Sequence, residues 1–186
     1  MRAAWQMWRG DTGFNEETIN AIVDAGIKNA PKDASIGNTN GEKVMSQEIR
    51  TSKVSWLTHE QWIRDALFEF IKTANKNAFN VDVENFADLQ YTEYHASEGG
   101  HYGWHEDVFW GEEDPHDRKL SVTVQLSDKS DYDGGDFEFQ DVETPEDSKK
   151  KGTVLVFPSY HKHRVAPVTI GVRKSLVAWF QGPRWR

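Results

Sequence analysis

The stretch GTVLVFPSYHKHRVAPVTIGVRKSLVAWF, residues 152–180, consists of short runs rich in β-branched and aromatic residues that proline and glycine interrupt. Runs of four to eight such residues, bounded by turn formers, predict β-strands rather than helices. Similar runs lie upstream, at LQYTEY (89–94), LSVTVQL (120–126) and DFEF (136–139). The second half of the chain therefore predicts an antiparallel β domain, either a sandwich or a barrel.

The first half of the chain has helical periods instead. FNEETINAIVDAGIK, residues 14–28, predicts a helix with Asn15 as its N-cap. The buried face of this helix would comprise Ile19, Ile22, Val23 and Ile27. A second helix is predicted from Thr58, where THEQ resembles a capping box, to about residues 75–77. Its apolar face would comprise Trp62, Ile63, Ala66, Leu67, Phe70 and Ile71.

The order of these elements predicts the fold class. Residues 31–47 are rich in turn formers and predict a loop. We expect one domain over residues 1–186, mainly β with N-terminal helices, which is an α+β class. The helical support would cover about residues 1–87 and the β core about residues 88–182.

Composition limits the chemistry of this chain. It has 186 residues, no cysteine and a formal net charge of −8. Any metal site must therefore use nitrogen and oxygen ligands. The excess of acidic residues disfavours binding to nucleic acid or to an anionic membrane. The sequence shows neither a signal-like segment nor a long apolar run, so we expect a cytoplasmic protein.

The chain has seven histidines, and the spacing between them and the acidic residues indicates which of them could bind a metal. His105 and Asp107 form an HxD pair, a pattern that is too short to be informative alone. The downstream HKH supplies a second histidine, either His161 or His163. Two histidines and one carboxylate are the ligands of many non-haem Fe(II) sites, which keep three coordination positions open.

Arg173 extends this pattern, because it lies ten residues after His163. A hairpin centred near Ile170 would pair His163 with Val177 and place Arg173 and Ser175 on the same face. Arg173 would then lie about four residues, or roughly 13 Å, from the histidine. That distance suits a 2-oxo acid that chelates a metal and offers its far carboxylate to a bidentate guanidinium. A one-residue slip in register would invert this prediction.

With these residues in place, the chain resembles the 2-oxoglutarate- and Fe(II)-dependent oxygenases of the prolyl 4-hydroxylase-like group. The segments that carry the resemblance are QYTEYHASEGGHYGWHED, LSVTVQLSD, YDGGDFEF, GTVLVFPSYHKHRVAPV and GVRKSLVAWF. The resemblance implies a double-stranded β-helix, a distorted jelly roll, backed by N-terminal helices. It also implies Fe(II) as cofactor, 2-oxoglutarate and O2 as cosubstrates, and ascorbate as a candidate reductant. The implied reaction couples oxidative decarboxylation of 2-oxoglutarate to hydroxylation of an unactivated C–H bond.

Carried over by position, the resemblance assigns the iron ligands to His105, Asp107 and His163. It favours His163 over His161 because HRVAP matches the family pattern at that histidine. Arg173 matches the residue that binds the distal carboxylate of 2-oxoglutarate.

Two further residues, Ser175 and Tyr94, match positions in the cosubstrate pocket. An arginine at position 173 differs from the lysine of collagen-type and plant-type prolyl hydroxylases and resembles the oxygen-sensing and bacterial branches. The retained carboxylate at Asp107 favours hydroxylation, since related halogenases lack it.

The substrate side is predicted from aromatic residues. Tyr102 and Trp179 match family positions near the substrate or the pocket wall. Trp104, Phe109 and Trp110 would either form a groove for an extended, proline-containing peptide or merely cover the sheet.

The loops 31–55, with Arg50 near its end, and 108–119 are candidate lids over the pocket. A prolyl residue in a peptide or protein is the leading substrate by resemblance. The alternatives are a free amino acid or other small molecule, and a β-barrel binding domain without catalysis.

Overall fold

The computed structural model describes residues 3–37, 43–44, 47–108, 110 and 114–185. Two α-helices lie in these ranges, α1 (Glu16–Lys28) and α2 (Gln61–Ala74), and a π-helical turn over Asn75–Phe79 follows α2. The strands are β1 (Gln6–Trp8), β2 (Lys32–Asp33), β3 (Ile36–Gly37), β4 (Lys43–Val44), β5 (Arg50–Thr51), β6 (Lys53–Trp56), β7 (Ala87–His95), β8 (His101–His105), β9 (His116–Gln125), β10 (Tyr132–Gly134), β11 (Phe137–Phe139), β12 (Val154–Pro158), β13 (His163–Val165) and β14 (Val168–Pro183). No helix in the described part of the chain is both long and apolar enough to cross a membrane.

Antiparallel pairing arranges these strands in two main sheets. The larger sheet has the order β1-β12-β9-β14-β7-β6-β2, and β10 pairs with β14 at its side. The smaller sheet has the order β11-β13-β8-β5, while β3 and β4 form a separate pair. Aromatic and aliphatic residues of both main sheets share one hydrophobic cluster, so the sheets pack face to face. This is the β-rich fold with helical support that the sequence predicts.

The outer face of the larger sheet packs against the helices. Side chains on that face of β7, β9, β12 and β14 join the buried stripes of α1 and α2 in one apolar cluster. The helix residues of this cluster are Ile19, Ile22, Ile63, Leu67, Ile71 and Ala74. Helix α1 approaches β7 closely at Gly26, where an added Cβ would lie 2.3 Å from Cγ of Tyr91. Only glycine fits at this crossing.

Helix α1 confirms the predicted N-cap, since the Thr18 amide donates to Oδ1 of Asn15 at 2.9 Å. The prediction for Ile27 is wrong, because its side chain is 50% exposed and Gly26 takes the contact with the sheet. A helix face that approaches a flat tyrosine ring needs a residue without a side chain there.

Helix α2 begins at Gln61, so the predicted start at Thr58 is wrong. The Thr58 hydroxyl accepts a hydrogen bond from the Leu89 amide of β7 at 3.2 Å instead of capping a helix. Trp62 is exposed, contrary to prediction, and its indole donates to the Glu60 carboxylate. Bonding to the sheet has replaced a local cap in this segment.

The predicted hairpin between β13 and β14 is also wrong. His163 lies opposite His105 on β8 and Phe139 on β11, and not opposite Val177. Strand β14 runs in the other sheet, where Arg173 lies opposite Tyr94 of β7. The predicted loop over 31–47 contains the short strands β2, β3 and β4. Pairing of β13 with β8 inside the smaller sheet, rather than sequence proximity, brings the predicted histidine ligands together.

Candidate metal centre and its pocket

Three potential metal ligands converge between the two sheets. His105 ends β8, Asp107 follows two residues later, and His163 begins β13 opposite His105. The Nε2 atom of His163 lies 3.5 Å from Asp107 Oδ2, and that of His105 lies 3.7 Å from Oδ1. One ligand atom from each residue lies within 4.8 Å of the others. The competing histidine, His161, is outside this group and packs beside Tyr160.

Backbone carbonyls orient both histidine rings. Nδ1 of His105 bonds the Gly103 carbonyl, and Nδ1 of His163 bonds the His161 carbonyl, each at 2.8 Å. A carbonyl only accepts, so each Nδ1 carries the proton and each Nε2 keeps its lone pair. Burial, followed by the nearby His163, lowers the pKa of His105 to about 3. The imidazole is therefore neutral at pH 7, as a metal ligand must be.

Asp107 supplies the negative charge of the cluster. Burial alone would raise the pKa of its carboxyl, but His163, His105, Arg118 and a hydrogen bond from Ser121 outweigh burial and hold the pKa below its usual range. The Ser121 hydroxyl donates to Oδ2 at 2.7 Å. Two imidazoles and one fixed carboxylate form a donor set that fits a divalent metal of the Fe(II) type.

A buried guanidinium lies at the other end of the same pocket. Arg173 is 4% exposed, and its Nη1 lies 3.5 Å from the Ser175 hydroxyl. Its Cζ lies 5.6 Å from the centre of the Tyr94 ring. Within the described ranges, no carboxylate pairs with it. A buried cation without an anion is costly, so this end of the pocket is suited to bind an anionic group.

The pocket has a volume of about 400 Å³, including its opening to solvent. The predicted residues that line it are His105, Asp107, His163, Arg173, Ser175, Tyr94, Tyr102, Trp179 and Arg50. The residues in its wall that sequence reasoning missed are Gln90, Thr123, Phe137, Phe157 and Val165. Strand alternation could have found Gln90, which lies four positions before Tyr94 on β7. Val177 also lines the pocket, as expected, although its pairing differs from the prediction.

Irregular pairing explains how Tyr102 and His105 share the pocket although they are three residues apart. The register between β13 and β8 shifts, because His163 lies opposite His105 while Val165 lies opposite Tyr102. One extra residue on β8 forms a bulge, which lets positions of opposite parity face the same side. The Tyr102 ring stacks on His105, with ring centres 3.6 Å apart.

Trp104 and Trp110, two of the three residues that were predicted to form an aromatic groove or to cover the sheet, do not line the pocket. Trp104 points outward, where the Arg164 guanidinium lies 4.7 Å from its ring, and Trp110 is 62% exposed. Phe109 lies outside the described residues. The loops 31–55 and 108–119 are described only in part, and their closure over the pocket stays a prediction.

Comparison with known proteins identifies relatives of this site. The model of the 2OG-Fe(II) oxygenase superfamily matches residues 89–181. A PKHD-type hydroxylase of Synechococcus sp. (strain CC9902) is 37% identical over 84 residues, covering 45% of this chain and 37% of the relative. Another from Hyphomonas neptunium is 40% identical over 89 residues, covering 46% and 40%. The matched region thus spans about two fifths of the length of these curated relatives.

Solved structures match over nearly the whole chain. A viral collagen prolyl hydroxylase from Paramecium Bursaria Chlorella virus-1, in complex with 2OG, superposes with a TM-score of 0.68 at 17% identity, covering 97% of both chains. A Pseudomonas putida prolyl-4-hydroxylase gives 0.69 at 19% identity, covering 98% of this chain and 94% of that chain. At such identities the similarity shows the fold alone, a double-stranded β-helix.

Proposed function

This chain belongs to the 2OG-Fe(II) oxygenase superfamily, and from that premise we propose that it hydroxylates an unactivated C–H bond with Fe(II), 2-oxoglutarate and O2. The proposed substrate is a prolyl residue in a peptide or protein. One observation carries the proposal: a cluster of His105, Asp107 and His163 shares a pocket with the buried, anion-free Arg173.

In this proposal the chain's own residues hold and orient the metal. The Nε2 atoms of His105 and His163 and one oxygen of Asp107 are its ligands. Hydrogen bonds from Nδ1 to backbone carbonyls prevent both rings from rotating. When bound, Fe(II) supplies the activation of O2 that this reaction requires.

The opposite end of the pocket would bind the cosubstrate. Arg173 offers its guanidinium to the distal carboxylate of 2-oxoglutarate, and Ser175 and Tyr94 flank it. Phe137, Phe157 and other apolar residues of the wall exclude water from the space between. Exclusion of water strengthens the attraction between guanidinium and carboxylate.

The prolyl substrate is supported by the kinds of protein that share the fold. These include a Trichoplax adhaerens prolyl hydroxylase solved with a hypoxia inducible factor oxygen degradation domain peptide, at a TM-score of 0.65 and 16% identity. In the present chain, the rings of Tyr102 and Trp179 line the same pocket as the proposed metal ligands. Such flat surfaces suit a pyrrolidine ring.

Succinate formation tests this proposal. Purified protein is supplied with Fe(II), ascorbate and 2-oxoglutarate, with and without a pool of proline-containing peptides, and peptides are searched for a mass gain of about 16 Da on proline. We expect succinate in proportion to hydroxylated peptide. A control with His163→Ala should form none. Absence of succinate with every peptide, together with absence of 2-oxoglutarate binding, would refute the enzyme; succinate without modified proline would refute the prolyl substrate.

A further inference from the structure

A second buried arginine lies in the pocket, and its partners are all neutral. Arg50 is 8% exposed, its Nε donates to the Ser52 hydroxyl at 2.8 Å, and its Nη2 donates to Oε1 of Gln90 at 2.7 Å. Its Cζ lies 4.5 Å from the centre of the Tyr102 ring. Within the part of the chain that the structure describes, no carboxylate pairs with Arg50.

Arg50 and Arg173 mark opposite ends of the pocket. Arg50 contacts Gln90 of β7, whereas Arg173 lies opposite Tyr94 of the same strand. Four residues of strand separate these two positions by roughly 13 Å. The two arginines therefore meet β7 at different positions along the strand. The pocket presents two separate cationic ends, with the three potential metal ligands also in its wall.

The sum of the formal charges in the loaded pocket leaves one of the two arginines without a compensating anion. The charged side chains that line the pocket are Asp107, Arg173 and Arg50, because a histidine that binds a metal does so as a neutral imidazole. In the proposed function, a divalent metal and the doubly negative 2-oxoglutarate cancel each other, and Asp107 cancels Arg173. The positive charge of Arg50 then remains without compensation in a buried site, which is unfavourable unless an anion pairs with it.

We propose that Arg50 is an anion-binding subsite that receives a carboxylate of the substrate. The inference rests on the proposed function and deepens it, because it defines the substrate class as acids. The carboxylate is assigned to the C terminus of a peptide substrate; a free amino acid as its source would replace the peptide in the proposed function. A neutral backbone carbonyl could accept a hydrogen bond from the guanidinium but would leave its positive charge uncompensated.

The position of Arg50 supports a substrate role. Its guanidinium packs on Tyr102, which itself stacks on the proposed metal ligand His105. An acid held at Arg50 therefore lies one aromatic ring away from the proposed reaction centre. Gln90 and Ser52 fix the guanidinium from the side, so its orientation does not depend on the substrate.

Three matched pairs of probes test this subsite: acetate and acetamide, L-proline and L-prolinamide, and N-acetyl-Ala-Pro as acid and as amide. The protein is loaded with Mn(II) and 2-oxoglutarate without oxygen, and proton NMR measures the relaxation that Mn(II) induces in each probe. We expect the acids to bind at least about thirtyfold more tightly than their amides, as expected for a buried charged pair. Preference for proline over the acetylated dipeptide identifies a free amino acid as the source of the carboxylate, and the reverse identifies a peptide C terminus.

Variants separate Arg50 from the metal itself. Arg50→Gln should abolish the preference for acids, whereas Arg50→Lys should keep part of it because the charge remains. Arg164→Gln is the matched control, since Arg164 is already paired with Glu138, and it should bind like the wild type. A preference that survives in Arg50→Gln would reveal binding to Mn(II) and overturn the proposal. So would the absence of any preference in the wild type.

Binding of 2-oxoglutarate is measured in the same samples, so that the two proposals fail separately. If 2-oxoglutarate binds to wild type and to Arg50→Gln while no acid is preferred, only the subsite is rejected. If 2-oxoglutarate does not bind to the wild type, the proposed function is rejected with it.

Discussion

The two faces of the larger sheet differ in what they bury. The outer face packs aliphatic side chains and Tyr91 against both helices, with little exposed surface. The inner face buries arginine, glutamine, serine and threonine beside the proposed metal ligands. Burial of polar groups costs free energy unless their bonds are satisfied, so polarity on the inner face is not explained by stability. The outer face accounts for folding, and the inner face accounts for binding.

We expect the largest effect on the inner face, where removal of a proposed metal ligand should lower metal affinity. We expect His163→Ala to lower metal affinity by more than about a hundredfold. Loss of a residue that only orients a ligand typically lowers the affinity by about ten- to a hundredfold, and loss of the ligand itself should cost more. Calorimetry with Mn(II) measures the affinity. His161→Ala is the matched control and should bind within about threefold of wild type, because its ring lies outside the cluster. Equal losses in both variants would reject the choice of His163.

An outer-face truncation should show the opposite pattern. Leu67 is fully buried in α2, and Leu67→Ala should lower the free energy of unfolding by about 2–5 kcal/mol, through lost burial and a residual cavity. Urea denaturation measures this change. The folded fraction should still bind Mn(II) with wild-type affinity. A selective loss of metal binding without loss of stability would contradict the division between the faces.

Ser121 tests whether polar neighbours on the inner face position the ligands. Its hydroxyl donates to Asp107 and also bonds the Ser159 hydroxyl at 2.9 Å. We expect Ser121→Ala to lower Mn(II) affinity by about ten- to a hundredfold, since Asp107 loses the bond that orients its carboxylate. Ser159→Ala leaves that bond in place and should change the affinity far less. The reverse order of effects would remove Ser121 from this role.

Glu93 should give the smallest effect, because it is a charged group at the margin of the outer face. Burial would raise the pKa of its carboxyl, but hydrogen bonds with Tyr91 and His95, helped by the charges of His95 and Lys174, lower the pKa below 4.5. The stability that it contributes is present above about pH 4.5 and is lost as the pH falls through the lowered pKa. Glu93→Gln should therefore lose about 1 kcal/mol at pH 7, and the difference from wild type should shrink in acid. A difference that grows in acid would contradict this assignment.

The sequence predicted which residues cluster better than it predicted the contacts that bring them together. Strands with a period of two and an HxD pair with a downstream HKH were predicted from residue types, whereas the choice of His163 over His161 came from the family resemblance. The pairing of His163 with His105 was not predicted, because it joins segments 58 residues apart and depends on a bulge in β8. Parity still placed His163 and Arg173 in one pocket, although the assumed hairpin does not exist.

Errors in the helices have a related cause. Thr58 has the sequence of a cap but bonds to the sheet, and Ile27 fits the apolar period but lies beside a glycine crossing. In both cases a tertiary contact overrides a local preference. Arg50 was predicted at the substrate pocket, near the end of a candidate lid, but its burial and its neutral partners are visible only in the structure.

Titration of 2-oxoglutarate into Mn(II)-loaded protein without oxygen tests most directly whether the inner face is a site for a metal and a dicarboxylate. Wild type should bind 2-oxoglutarate, and Arg173→Ala should bind it at least about thirtyfold more weakly, because a buried charged pair loses one partner. The affinity of both proteins for Mn(II) should be the same. Equal binding of 2-oxoglutarate to both proteins, or equal loss of metal and 2-oxoglutarate binding in Arg173→Ala, would contradict the account.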